Sequence, residues 1–281
     1  MVDVELVRGL VAGQFPQWAG LPLAPVASDG TDNAIFRLGE GLSVRLPRYE
    51  RAVGQIALER RWLPVLGPGL PVAVPEPVAV GVAARGYPFP WAVYRWLDGA
   101  NPGRPDLLAV DLAGFLLALW DADTSGGPRA EADGRGGSLR GKDVSGPIAQ
   151  LAGDYDPARL SAVWEADRAA PDWAGRPVWL HGDLHAGNLL AGRDGRLAVV
   201  LDWSCLAVGD PAADLIPAWV AFGPAARAAF RERLGVDEAT WRRGRASAFA
   251  FGLGALSYYR TTNAYFAALG RYAIGQVLAE T

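Results

Sequence analysis

The sequence has 281 residues, of which 27 are lysine or arginine and 30 are aspartate or glutamate, so its formal charge is −3. This balance disfavours binding to nucleic acid or to an anionic membrane, because such proteins usually carry a basic excess. Hydrophobic residues make up 51% of the chain, which supports a sizeable core and excludes disordered, collagen-like and coiled-coil chains. The length corresponds to roughly two domains.

Cysteine content and the N-terminal residues indicate the compartment. The single cysteine, Cys205, cannot form an intrachain disulfide, and the N-terminal residues lack the pattern of a signal peptide. No apolar stretch reaches the about 20 residues that a membrane-spanning helix needs. We therefore expect a cytoplasmic protein with no nucleic-acid or membrane partner. Lys142 is the only lysine, so any mechanism that needs a lysine must use it.

The first 97 residues are rich in predicted strands. Apolar residues recur at helical spacing over residues 4–13 and again over 50–66. Between these segments, residues 24–47 contain two β-rich runs on either side of Gly39–Glu40–Gly41, a hairpin signal. Two further extended runs follow at 74–82 and 91–97. This pattern predicts a small β-rich lobe with one main helix.

From residue 98 onwards the pattern becomes helical. A Gly/Pro-rich connection at 98–105 comes first, and a Gly-rich, charged loop lies between residues 124 and 147. Helical spacing covers residues 106–120, 156–169, 224–234, 237–260 and 264–279. We expect residues 98–281 to form a larger, mainly helical lobe.

The densest polar signal is the segment 181–188, HGDLHAGN, which contains both histidines of the chain. A strand-like VWL precedes it, and a predicted hairpin that turns at Asp194–Gly195 and ends at Asp202 follows it. Short connections thus deliver two carboxylates and a carboxamide to one place. One carboxylate can accept the proton of a hydroxyl, and the other two groups can hold Mg²⁺ against nucleotide phosphates, so the trio suits phosphoryl transfer.

The segments HGDLHAGNLL and LDWSCLAVGDPAADL resemble the aminoglycoside phosphotransferase family, which includes macrolide, choline and other small-molecule kinases. The resemblance extends over most of the chain and is strongest over residues 179–215. It implies an α+β, bilobal, protein-kinase-like fold. A small N-terminal antiparallel β lobe with one main helix, residues 1–97, would bind the nucleotide. A larger, mainly α C-terminal lobe, residues 98–281, would carry the catalytic and acceptor sites.

The resemblance assigns roles within the motif. Asp183 would be the catalytic base, and Asn188 and Asp202 would be the Mg²⁺ ligands. His181 would brace the loop. Two further candidates for loop support are Asp210, at the predicted N-cap of a helix that starts at Pro211, and Asp214 about one turn later; both also fit ordinary capping and solvation.

ATP, or GTP, would bind the first lobe by the same resemblance. The segment Ser28–Asn33 lies where the family has its phosphate-covering loop, which makes Thr31 and Asn33 candidate contacts. Backbone groups near Arg95 and Leu97 would bond to the base at the hinge between the lobes.

Arg45 occupies the strand position where the kinase-like pattern has a phosphate-binding lysine. Arginine is permanently charged and grips phosphate with a planar fork, so the electrostatic role is open to it. Glu59, on the predicted helix 50–66, is its expected partner.

Two other functions remain open from the residues. On a strand, His181, Asp183 and His185 would alternate onto one face and could bind a transition metal, as in a metal-dependent hydrolase; the rest of the motif would then be unexplained. Arg45 in place of lysine is compatible with a nucleotide-binding pseudokinase, although the residues of the catalytic loop are intact.

The acceptor is expected to be a hydroxyl of a small molecule, with an aminoglycoside favoured. Because aminoglycosides are polycations, their site needs several carboxylates. The second lobe offers Asp154, Asp156, Glu165, Asp167 and Asp172. An aromatic set could instead line an apolar pocket for a macrolide: Phe249, Phe251, Tyr258, Tyr259, Tyr265 and Phe266. A metabolite such as an amino alcohol is a further alternative.

Overall fold

The computed structural model of the chain describes residues 2–28, 30–131 and 135–281. In chain order, the elements of its N-terminal part are α1 (Val4–Gln14), β1 (Leu23–Pro25), β2 (Asn33–Leu38), β3 (Leu42–Pro47), α2 (Gly54–Leu66), β4 (Pro77–Gly81) and β5 (Trp91–Arg95). The strands form a five-stranded antiparallel sheet with the order β1-β2-β3-β5-β4.

Alternating burial along β2 and β3 creates the inner face of the sheet. Phe36 and Leu38 of β2 and Val44 and Leu46 of β3 are buried, while the residues between them are only partly covered. Gly39 makes the turn between the two strands with φ +60°, a conformation that costs glycine little. The apolar stripe of α1 packs on this face and completes the N-terminal core.

Helix α2 joins the two parts of the molecule. Near its N-terminus, Ile56 packs against Ala92 and Tyr94 of β5. At its C-terminus, Leu63 and Leu66 belong instead to the core of the helical part. The helix therefore spans from the sheet to the second core, and its middle turn carries Glu59 between them.

The second part is mainly helical. Its helices are α3 (Ala109–Asp121), α4 (Ser145–Gln150), α5 (Pro157–Arg168), α6 (Pro217–Val220), α7 (Pro224–Leu234), α8 (Glu238–Tyr259) and α9 (Ala264–Leu278). Four short strands, β6 (Val178–Leu180), β7 (Leu189–Ala191), β8 (Leu197–Val200) and β9 (Ala207–Gly209), pair as β6 with β9 and β7 with β8. These two small sheets carry the HGDLHAGN segment and Asp202 at their ends.

The structure confirms the predicted fold class. The expected helix over 50–66 begins with a single 3₁₀ turn at Glu50–Ala52 before α2 starts at Gly54. The expected strand 74–82 is shortened to β4, which begins at Pro77, because proline cannot donate to a ladder and is confined to a strand's start or a sheet edge. The boundary between residues 97 and 98 stays a prediction. Within the described ranges, no helix combines the length and apolarity needed to cross a bilayer.

Candidate active site

A cleft of about 1130 Å³ opens between the sheet and the helical part. Eight of the residues predicted from the sequence to serve the nucleotide, the metal or catalysis line it: Thr31, Asn33, Arg45, Arg95, Leu97, Asp183, Asn188 and Asp202. Glu59, His181 and Asp214 have no exposed surface and lie behind its wall. Of the predicted phosphate-covering loop, Asp29 lies outside the described residues.

A tight backbone turn begins the catalytic segment. Strand β6 ends at Leu180, and Gly182 has φ +78°, where a Cβ atom would lie 2.7 Å from the carbonyl oxygen of Cys205. Only glycine fits this turn. The carboxylate of Asp214 accepts the N–H groups of His181 at 2.8 Å and Gly182 at 2.7 Å. Asp214 therefore fixes the backbone from which the next residue, Asp183, projects.

His181 connects this segment to the residue before Asp202. Its Nε2 lies 2.9 Å from the carbonyl oxygen of Leu201, and its Nδ1 accepts the N–H of Asp183 at 3.2 Å. Because Nδ1 accepts and Nε2 donates, the neutral ring is held in one tautomer. Burial lowers the pKa of His181 to about 4, so the imidazole stays neutral at physiological pH.

This buried histidine makes stability sensitive to acid. In the unfolded chain histidine titrates near pH 6.5, so between pH 6.5 and 4 the unfolded state binds more protons and the free energy of unfolding falls as the pH falls. The lowered pKa of His181 reduces the free energy of unfolding by about 3 kcal/mol at pH 4. Burial raises the pKa of Asp214 to about 7, which acts in the opposite sense in nearly the same window.

We therefore expect the effect to appear when wild type is compared with His181→Gln, a variant that cannot titrate there. Denaturant unfolding at pH 7 and pH 4 measures it. The stability difference between wild type and variant should shrink by about 3 kcal/mol from pH 7 to pH 4. A difference that does not change with pH would show that His181 is not buried in its neutral form.

Asp183 is held as an ionised carboxylate. Its Oδ1 forms an ion pair with Arg135, and its carbonyl oxygen accepts the side-chain amide of Asn188 at 2.8 Å. Burial alone would raise the pKa of Asp183, but the charge and hydrogen bond of Arg135, together with the nearby histidines, outweigh it and hold the pKa below the usual value. The ionised form is the one a general base requires.

Asn188 and Asp202 present oxygen atoms to the same part of the cleft. The N–H of Leu201, the residue before Asp202, donates to the carbonyl oxygen of Asn188 at 2.8 Å. This hydrogen bond holds the backbone at Asn188 next to the backbone that leads into Asp202. Asp202 has φ +61°, a rare conformation that aspartate tolerates better than most residues. Oδ1 of Asp202 accepts Gln55 Nε2 at 3.0 Å and the Ser204 amide at 3.3 Å, which leaves Oδ2 as the second oxygen.

This donor set fits Mg²⁺. Mg²⁺ binds through one or two carboxylates together with substrate phosphates and water, rather than inside a cage made only of protein. The described residues contain no group of three or more His, Cys, Asp or Glu that could hold a metal ion. Asp202 and Asn188, with the phosphates of a nucleotide, match that preference.

A buried polar network stands behind Arg45. Arg45 Nη1 lies 3.0 Å from Glu59 Oε1 and 3.1 Å from Oε2, so the two residues that were expected to pair are in contact. Glu59 also accepts the hydroxyl of Tyr94 at 2.6 Å and Gln55 Nε2 at 2.9 Å. Since Gln55 also donates to Asp202, one amide connects the carboxylate in α2 to the candidate metal ligand of the other lobe.

Arg45→Lys tests whether the arginine fork is needed. Lysine keeps the charge beside Glu59 but loses the fork, so we expect part of the turnover with ATP to remain if charge dominates and little if geometry does.

Arg45→Ala should raise KM for ATP, lower kcat, or both. It should also destabilise the fold by about 3–5 kcal/mol because it leaves a buried carboxylate without its partner. Glu59→Gln should impair turnover in the same direction but less. Steady-state kinetics with thermal unfolding separate these effects, and wild-type ATP kinetics in Arg45→Ala would refute the role.

Some backbone groups at the predicted hinge already have hydrogen-bond partners, and others are available to a nucleotide base. The N–H of Arg95 donates to the Glu76 carbonyl at 2.9 Å, and that of Trp96 donates to the Gly41 carbonyl at 2.8 Å. The Arg95 amide is therefore already used at the sheet edge, and the expected contact between the base and backbone groups near Arg95 stays a prediction. Leu97 is the remaining candidate, since the structure gives its backbone no hydrogen bond within the described part of the chain.

The predicted phosphate-covering loop and Asp210 also have defined contacts. Thr31 Oγ1 bonds to Asp32 at 3.1 Å, and Asn33 Nδ2 donates to Gln55 at 3.0 Å. Asp210 caps the 3₁₀ turn Pro211–Leu215 and pairs with Arg243 at 2.6 Å. Asp210 thus matches the capping interpretation.

The strand alternation expected for a metal-dependent hydrolase is wrong. Strand β6 stops before His181, and the positive φ of Gly182 breaks any alternation. His181 is engaged with Leu201, and His185 Nδ1 lies 3.2 Å from the Tyr265 hydroxyl.

The five acidic residues predicted for a polycationic acceptor lie outside the cleft. Each is engaged elsewhere: Asp154 pairs with Arg260, Glu165 with Arg168, Asp167 with Arg245 and Asp172 with Arg140, while Asp156 caps α5. The aromatic residues behave differently. Except for Phe249, which is buried in the core, they line the cleft.

Gln55 and Arg135 line the cleft and contact candidate site residues, but the sequence analysis did not identify them. Gln55 lies four residues before Glu59, a helical spacing that places both on one face and could have indicated it. Arg135 lies in the Gly-rich loop 124–147, where no periodicity marks it. Lys142, from the same loop, also lines the cleft.

Known proteins share this architecture. The family model described as the phosphotransferase enzyme family matches residues 24–247. The GDP complex of wild-type aminoglycoside 2′-phosphotransferase-IIIa has a TM-score of 0.75 at 18% identity and covers 99% of both chains. The apoenzyme of macrolide 2′-phosphotransferase MphH from Brachybacterium faecium has a TM-score of 0.64 at 25% identity and covers 97% of both chains.

Among curated proteins, uncharacterized protein YcbJ of Bacillus subtilis (strain 168) is 25% identical over 197 residues. That match covers 64% of this chain and spans 63% of the length of YcbJ. The family model covers most of the sheet, α2, and all of the segments that carry Asp183, Asn188 and Asp202. The chain belongs to the phosphotransferase enzyme family.

Proposed function

We propose that the protein transfers the γ-phosphoryl group of ATP, or GTP, to a hydroxyl of a small molecule in a Mg²⁺-dependent reaction. The observation that carries this proposal is the meeting of Asp183, Asn188 and Asp202 on one wall of the cleft between the lobes. A base and two metal ligands beside a nucleotide-sized cleft are the parts that phosphoryl transfer requires.

In this mechanism Asp183 orients the acceptor hydroxyl and takes its proton. The acceptor oxygen bonds to the γ-phosphorus, the bond from that phosphorus to the bridging oxygen breaks, and the electron pair leaves with the nucleoside diphosphate. Asn188 and Asp202 would hold Mg²⁺, which neutralises phosphate charge when bound. Arg45, fixed by Glu59, would contact the phosphates from the opposite lobe.

Nucleotide complexes of similar proteins support this direction. Related structures are described as GDP complexes, as ADP-bound APH(2′′)-Ib, and as a ternary complex of streptomycin, ATP and APH(2′′)-IIa. For this chain the base would be read by backbone groups near Leu97, which both purines can satisfy.

The wall of the cleft favours a partly apolar acceptor of low charge over a polycationic aminoglycoside. The described lining residues include six cationic side chains, Arg45, Arg51, Arg95, Arg135, Lys142 and Arg243, and four acidic ones, Asp32, Asp183, Asp202 and Asp210. Three of those acids are already paired with arginine. Few carboxylates of the wall are therefore left to bind a polycation.

Aromatic residues supply the apolar part of that wall. Tyr259 and Phe266 stack with ring centroids 5.0 Å apart, and Phe266 lies 5.5 Å from the His185 ring beside the catalytic segment. Rings of this kind cover apolar faces of a bound molecule while polar groups orient it. A macrolide-type alcohol therefore fits this wall better than an aminoglycoside does.

A panel of acceptors tests the proposal. Macrolides, aminoglycosides and amino alcohols are each mixed with ATP or GTP and Mg²⁺, and the phosphate ester is detected by mass spectrometry. We expect ester formation with a macrolide, the most apolar class of the panel, and none without Mg²⁺. Nucleotide binding without any ester would support the pseudokinase alternative, and preferential phosphorylation of aminoglycosides would overturn the acceptor assignment.

A further inference from the structure

Arg135 makes a charged contact with the candidate base inside the cleft. It forms an ion pair with Oδ1 of Asp183, and the same nitrogen, Nη1, bonds to the carbonyl oxygen of Gly182 at 2.6 Å. Its side chain is 36% exposed, so it faces the cleft instead of lying behind its wall. A mobile surface arginine would not hold both the backbone and the carboxylate of the candidate base.

The backbone next to Arg135 is fixed against the catalytic lobe. Gly136 has φ +81°, and a Cβ atom there would lie 2.2 Å from Leu180 Cδ1. The Asp210 amide lies 3.3 Å from the Gly136 carbonyl oxygen. Earlier in the loop, the Ala130 amide bonds to the carbonyl of Val208 in β9 at 3.0 Å. The loop therefore approaches the catalytic segment so closely that only glycine fits, and it delivers the adjacent arginine to a defined place.

Arg135 lines the same cleft as Asp183 and Asp202. Burial alone would lower the pKa of the Arg135 guanidinium, but the charges of Asp183 and Asp202 raise it above its usual value, so the group stays cationic. Asp183 would face the attacking hydroxyl and Asp202 the metal-bound phosphates. Because Arg135 contacts Asp183 and lines the same cleft as Asp202, it lies beside the path of the phosphoryl group.

We propose that Arg135 is a catalytic arginine that neutralises the negative charge of the phosphoryl group during transfer while it stays paired with Asp183. The inference rests on the proposed function. The planar guanidinium can hold an Asp183 oxygen and a phosphoryl oxygen at once, since it carries five donors in a fixed fork. Charge developing on the transferred group is where such a donor acts most strongly.

Arg135→Ala should lower kcat by about 10²–10³-fold, as the loss of a donor to a transition-state oxyanion does. The Kd for Mg²⁺–ADP, measured by calorimetry, should change by less than about twofold, because ADP lacks the transferred group. Arg135→Lys should keep part of kcat. The rate is measured as phosphotransfer to the acceptor found in the panel, or as ATP hydrolysis when water is the only acceptor.

Arg140→Ala is the matched control. Arg140 lies in the same loop as Arg135 and also pairs with an aspartate, Asp172, but it does not line the cleft. This variant should leave kcat unchanged. A kcat within threefold of wild type in Arg135→Ala, or a loss confined to the affinity for Mg²⁺–ADP, overturns the proposal.

The pH profile separates a contact to the phosphoryl group from an effect on Asp183 alone. Without Arg135 the pKa of Asp183 should rise, which moves the acidic limb of kcat to higher pH. If kcat of Arg135→Ala recovers fully on the high-pH plateau, Arg135 only tunes the base and the proposal fails. If the loss persists there, the proposal stands. A wild-type protein with no ATP turnover at all would instead overturn the proposed function.

Discussion

Asp183→Asn is expected to fold and bind Mg²⁺–ATP but to turn over about 10²–10⁴-fold more slowly than wild type, the usual contribution of a positioned base. Asparagine keeps the size of the side chain but cannot take the proton of the acceptor. The link from Asn188 to residue 183 uses the backbone carbonyl, so it survives the substitution. Single-turnover kinetics of ester formation measure the chemical step directly.

Asp154→Asn provides the control for that substitution. Asp154 is also paired with an arginine, Arg260, but lies outside the cleft. We expect its kinetics to match wild type. Turnover by Asp183→Asn within tenfold of wild type would remove Asp183 as the base and leave the family assignment without its central residue.

Asp202→Asn should weaken Mg²⁺-dependent nucleotide binding by at least about 10–100-fold, because residues that merely orient a metal ligand already cost that much when changed. The variant should fold, since asparagine tolerates the positive φ of this position as well as aspartate does. The amide oxygen of the new asparagine can still accept the hydrogen bond from Gln55. In that orientation, its NH₂ group faces the side where the metal would bind.

Calorimetry with ATP, with and without Mg²⁺, measures this effect. The Mg²⁺-dependent part of the affinity should be lost, while binding of ATP without Mg²⁺ should stay near the wild-type value. Asp172→Asn, which removes an exposed ion pair between residues that do not line the cleft, should behave as wild type. Unchanged Mg²⁺ dependence in Asp202→Asn would contradict its role as a metal ligand.

The sequence was most informative where the site is local. Asp183 and Asn188 are five residues apart, and a short hairpin leads from them to Asp202, so the chain itself sets their separation. The hydrophobic period likewise predicted α8 and α9 because each buries a continuous stripe of its own residues. Local patterns of this kind need no knowledge of the rest of the fold.

Contacts between distant segments could not be predicted in this way. Arg135 and Asp183 are separated by 48 residues, and Gln55 and Asp202 by 147. Both contacts depend on how the lobes pack, which no residue spacing encodes. The five acidic residues could not serve as an acceptor site because they lie outside the cleft, where four of them pair with arginines and Asp156 caps α5.

The distribution of basic residues has a consequence for chemical modification. Lys142, the only lysine in the sequence, lines the cleft, while every other basic side chain is an arginine. Reagents and enzymes that acylate ε-amines therefore find one side-chain target, and acylation there removes a positive charge from the cleft wall alone. The charge of the remaining surface is insensitive to acetylation or carbamylation because guanidinium groups do not undergo those reactions under ordinary conditions.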